Sequence, residues 1–105
     1  MPVVLVPSCI QIGGHPYSIK FDQSLQDSGD YGTINHRTQE ISINPERPES
    51  QRGTSLLHEI VHLVNHIYVA SKLEDEEIAR FSQGMYQAIV SLGITFDWSN
   101  IKEKE

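Results

Sequence analysis

The sequence predicts an α+β fold: a small, mainly antiparallel sheet packed on one central helix, with a second helix crossing it. Three observations carry that expectation. The N-terminal half holds short β-branched or alternating runs interrupted by proline and glycine. Residues 56–67 are apolar around most of a helical circumference, the mark of a buried helix. A further helical period follows, with Ile78, Phe81, Met85, Ala88, Ile89 and Leu92 along one face. A chain of 105 residues holds one domain, 1–105, with its core expected over about 10–98.

In chain order, residues 3–6 and 10–12 are short strand-like runs separated by Pro7 and stopped by Gly13 and Gly14. Tyr17, Ile19 and Phe21 alternate with polar neighbours, giving a strand over 16–21. The polar stretch 22–30, with Gly29, reads as a loop. Strands over 31–36 and 40–44 join around 37–39, with Ile41 and Ile43 on one face, and Pro45 and Pro48 end the sheet. The central helix starts between Glu49 and Thr54, has Ser50 and Thr54 as candidate N-caps, and runs to about Ala70. The second helix covers 74–92. Its opening acids Glu74, Asp75, Glu76 and Glu77 suit the positive end of a helix dipole, and Gly93 stops it. Phe96 and Trp98 are expected to fold back as a cover, and 101–105 to form a frayed tail.

Eight basic against 14 acidic residues give a net charge of −6, which argues against non-specific nucleic-acid binding. Arg37, Arg47 and Arg52 are scattered along the chain. One cysteine, Cys9, allows no internal disulfide and points to a reducing compartment. The apolar start lacks the build of a signal peptide, and no run reaches membrane-spanning length. The expectation is a soluble cytoplasmic protein with no membrane partner; oligomeric state is not legible.

The chemistry lies in the central helix, in His58-Glu59-Ile60-Val61-His62. At 100° per residue His58, His62 and Asn65 share a narrow arc, with Ser55, Glu59 and His66 beside them. Buried imidazoles and a carboxylate need something that repays their desolvation, and a metal ion does so. Residues i and i+4 stack on a helix, so His58 and His62 can converge on one tetrahedral zinc at about 2.0–2.1 Å. Glu59 is placed to take a proton from a metal-activated water rather than to ligate. The five-residue pattern is moderately specific, since chance matches occur, and the bland reading is a buried helix with hydrogen-bonded histidines. The apolar surround favours the metal.

A catalytic zinc site wants a third protein ligand. Asn65 and Tyr68 stand where the metzincin pattern needs glycine and histidine, and His66 lies two turns, about 12 Å, from His58. The acidic start of the second helix is the natural source. Here the chain resembles the gluzincins, the thermolysin-like peptidases, and among them the minimal ImmA/IrrE-type and similar phage- or prophage-borne metallopeptidases. The resemblance covers about 31–92. It implies a zincin-like fold, a zinc ion, and a ligand glutamate followed by apolar, small and polar residues at two, three and four positions on. Glu76 fits that register with Ile78, Ala79 and Arg80, although the family usually has Asp or Asn where Arg80 stands. Periodicity instead favours Glu77 as the alternative. Glu74 and Asp75 read as dipole-matched solvent-facing acids.

The expected function is zinc-dependent peptide-bond hydrolysis of a peptide or protein substrate, with His58, His62 and Glu76 on the metal and Glu59 as general base. The strand just before the central helix would align an extended peptide by sheet-edge addition. Tyr86 and His66 are candidates to stabilise an oxyanion, with packing roles the plainer reading. His15 reads as a turn residue and His36 as a hairpin end. The rivals are a non-peptidase zinc hydrolase such as a nuclease, and a zinc-binding regulatory module without catalysis.

Overall fold

The computed structural model describes residues 2–103. The elements run β1 (Val3–Leu5), β2 (Cys9–Ile12), β3 (His15–Phe21), α1 (Ser24–Ser28), β4 (Gly32–Asn35), β5 (Glu40–Ile43), α2 (Glu49–Tyr68), α3 (Asp75–Ser91) and β6 (Thr95–Asp97). The fold is α+β, as the patterning predicts.

The main sheet has the order β2-β3-β5-β4. The β2–β3 hairpin is antiparallel and turns through Gly13 and Gly14, whose φ angles of 63° and 79° suit glycine. The β4–β5 hairpin is also antiparallel, and Asn35 holds its turn by accepting from the backbone N–H groups of Arg37 and Thr38. Between them β3 and β5 run parallel, so the sheet is mixed, with two antiparallel pairings and one parallel. Parallel neighbours need a long crossover, and residues 22–39 supply one that contains α1 and β4. That segment is not the plain loop its polarity suggests. Leu25 is buried, Ser24 donates its N–H and hydroxyl to Asp22, and Gly29 closes the turn at φ 78°.

The N-terminal run forms β1, which pairs in parallel with β6 apart from the main sheet. The core joins Ile19, Ile41 and Ile43 from the sheet to Leu56 and Leu63 of α2, and extends past the expected limits to Val6 and Ile101. Residues 101–103 are therefore no frayed tail. Ile101 is buried, Lys102 O accepts from Phe21 N–H, and Glu103 bridges to Phe21; residues 104–105 lie outside the described chain. Trp98 does cover the core, with its ring stacked on Phe21 at 5.8 Å.

Helix α2 starts at Glu49 behind Pro48 with no side-chain cap, so neither Ser50 nor Thr54 caps it; Thr54 donates to Ser50 O within the helix. It ends at Tyr68, two residues short of Ala70. Ala70 and Ser71 then turn the chain with φ of 54° and 57°, and Asn65 ties the turn by accepting from Leu73 N–H at 3.0 Å.

Helix α3 does not bury the face its apolar period marks. Ile78 and Ser82 are buried, whereas Phe81 and Leu92 are 59% and 73% exposed. The reason is close helix packing on small residues. A Cβ on Gly53 would collide with the Tyr86 ring. Ser82 can be fully buried because its hydroxyl donates to Ile78 O within its own helix. Periodicity counted that serine as polar.

Candidate metal centre

His58 and His62 meet as their spacing predicts. Their Nε2 atoms are 3.0 Å apart, with ring centroids at 4.7 Å. Two nitrogens on one tetrahedral ion at about 2.0–2.1 Å would stand about 3.3 Å apart, so the pair needs only a small opening to hold one. With a proton on one Nε2 the pair hydrogen-bonds; metal binding requires both Nε2 lone pairs, so that ring would carry its proton on Nδ1 instead. Burial and the neighbouring His62 hold the His58 imidazole below its usual pKa, partly opposed by the charge of Asp75. The neutral, ligating form is thereby favoured. The ligand atoms of His58, Glu59 and His62 all lie within 4.8 Å of one another, a group able to hold a metal ion.

Glu59 is only 6% exposed. Gly32 of β4 stands over it, where a Cβ would sit 3.6 Å from Glu59 Cγ and 3.2 Å from Ser42 O. Burial pushes the Glu59 carboxyl up from 4.5 to about 7. In that window the folded metal-free protein keeps a proton that the unfolded chain has released. The Glu59 contribution to stability therefore falls as pH rises from about 4.5 to about 7, by on the order of 3 kcal/mol, and is flat above. Melting curves of metal-free parent and Glu59→Gln between these limits should converge at low pH and separate at neutral pH, with the parent the less stable. Parallel curves would contradict the shift. A bound cation would favour the carboxylate and narrow the difference.

These groups open into a cleft of about 640 Å³, within the range of small-ligand sites. Its α2 wall is Gln51, Thr54, Ser55, His58, Glu59 and His62. Gln51 extends the stripe of Ser55, His58 and His62 by one turn, at i, i+4, i+7 and i+11. Tyr31 and Gly32 line it from the sheet, and Ala79, Ser82 and Gln83 from α3. Of those five, only Ala79 carried a sequence signal, as the small residue of the Glu76 register.

No protein-family model, curated protein or solved structure matches this chain. The gluzincin resemblance therefore rests on the motif and its placement alone.

The structure does not bring the expected third ligand to the pair. Glu76 is exposed and its carboxylate is ion-paired with Arg80 one turn on. Glu77 accepts from the Glu74 N–H at 2.9 Å and so closes a capping box. Neither oxyanion candidate lines the cleft. Tyr86 packs on Gly53, and His66 is exposed with its ring 4.6 Å from that of His36. His36 does sit at a hairpin end, where its Nδ1 is 3.3 Å from the Tyr17 hydroxyl. His15 opens β3 directly after the Gly13-Gly14 turn. Among the described residues no helix is long and apolar enough to cross a membrane.

Proposed function

We propose that this chain is a minimal zincin-like metallopeptidase, holding zinc through His58 and His62 and using Glu59 as general base. The observation that carries the reading is the convergence of the two Nε2 atoms at 3.0 Å beside a buried carboxylate at the wall of an open cleft. A zinc ion held there supplies Lewis acidity, polarising a carbonyl and making water nucleophilic near neutral pH. Glu59 accepts the proton of the attacking water and returns it to the leaving amine.

The strand that aligns substrate is not the one before α2. Strand β5 is paired on both sides, by β3 and β4, and has no free edge. Strand β4 is one of the two edges, and its first residue, Gly32, lines the cleft next to Glu59. An extended peptide added to β4 would gain backbone hydrogen bonds and pass over the histidines. The cleft is also a reason to favour catalysis over a zinc-holding module. No lysine or arginine is among its lining residues, which gives a phosphodiester substrate little to bind.

The test is incubation of zinc-loaded protein with an unfolded protein and a peptide library, followed by mass spectrometry. New termini are expected, lost with a chelator and restored by zinc. A zinc-loaded chain that cleaves nothing in either set contradicts the peptidase reading.

A further inference from the structure

Two imidazoles leave a catalytic ion short of its usual three protein ligands. Of the four acids that open α3, Glu76 is engaged by Arg80, while Glu74 and Glu77 satisfy each other's cap. Asp75 is different. Among the described residues no hydrogen bond or ion pair holds its carboxylate, and the residue is exposed.

Its place on the helix is the stronger argument. Residues 75, 79, 82 and 86 are i, i+4, i+7 and i+11 and form one stripe. Ala79 and Ser82 of that stripe line the cleft, and Tyr86 packs on Gly53 of α2. Asp75 therefore begins the face that α3 turns toward the histidines. Glu76 and Glu77 are rotated away by roughly 100° and 200°. The helices run antiparallel, since Leu73 meets Asn65 and Tyr86 meets Gly53. Interpolating between those contacts brings Asp75 level with the turn after His62.

We infer that Asp75 is the third protein ligand of the ion held by His58 and His62, reached by rotation of its own side chain. As it stands, its carboxylate lies outside the group formed by His58, Glu59 and His62. Ligation requires the Asp75 side chain to swing toward the stripe of Ala79 and Ser82 that lines the cleft. The inference rests on the metal reading of the two histidines, and it replaces Glu76 in the ligand set.

Zinc affinity, measured on the full chain by competition with a chromophoric chelator, separates the two claims. Asp75→Asn should weaken binding at least about tenfold, the lower end of what is lost when a supporting group at a metal site is removed. Asp75→Glu should recover most of it, because the carboxylate is restored. Glu76→Gln and Glu77→Gln should bind as the parent does. Cobalt(II) gives a second readout: its visible bands should change in Asp75→Asn and not in the Glu76 or Glu77 variants. Unchanged affinity and spectrum in Asp75→Asn, with binding lost in His62→Ala, would overturn the Asp75 assignment and leave the histidine pair standing. Parent-like binding in His62→Ala would instead remove the metal reading on which it depends.

Discussion

Glu59→Gln is expected to cut peptide hydrolysis by about 10²–10⁴-fold, the usual worth of general-base assistance, while zinc content stays at the parent level. Glutamine keeps the volume of a side chain that is 6% exposed, so no cavity opens. It keeps an acceptor oxygen for a water and cannot take a proton. The charge it removes is one that burial already disfavours, which is why the metal-free variant should be no less stable than the parent at neutral pH. The measurement is kcat/KM with metal content determined on the same preparations. A variant with parent activity would assign the base elsewhere. A variant that loses both activity and metal would make Glu59 a ligand, a role its carboxylate is close enough to take.

The second large effect concerns the histidines. Zinc should raise the melting temperature of the parent, since an ion that binds only the folded chain stabilises it by about 2.7 kcal/mol at a hundredfold excess over Kd. His58→Ala and His62→Ala should each lose that response. The two Nε2 atoms act as a pair 3.0 Å apart, and a lone imidazole binds zinc far more weakly. Differential scanning calorimetry with and without zinc checks this. A variant that keeps the full zinc-induced rise would place the binding site elsewhere in the chain.

Much of this was legible in the residues because helical spacing is rigid. His58 and His62 at i and i+4 can hardly avoid one another once the helix forms, and the apolar positions around them secure that helix. Which acid of α3 faces the histidines was not legible for a related reason. Four consecutive acids open α3, and which one faces α2 depends on the helix rotation. Ser82 and the Gly53–Tyr86 contact set that rotation, and hydropathy does not register either of them. For the same reason the apolar period does not show that Phe81 and Leu92 are exposed. The parallel pairing of β3 with β5 was hidden too, because it depends on a short helix in a polar segment whose one apolar anchor is Leu25. Ile101 and Val6 show that terminal segments can complete a core when a small domain has few other residues to close it.

Metal analysis tests the central claim most directly. The chain is loaded with zinc, freed of excess by gel filtration, and compared with a His58→Ala/His62→Ala double variant treated in parallel. One zinc per chain in the parent and none in the double variant is the predicted result. A parent that retains no zinc, or a double variant that retains one, would contradict it.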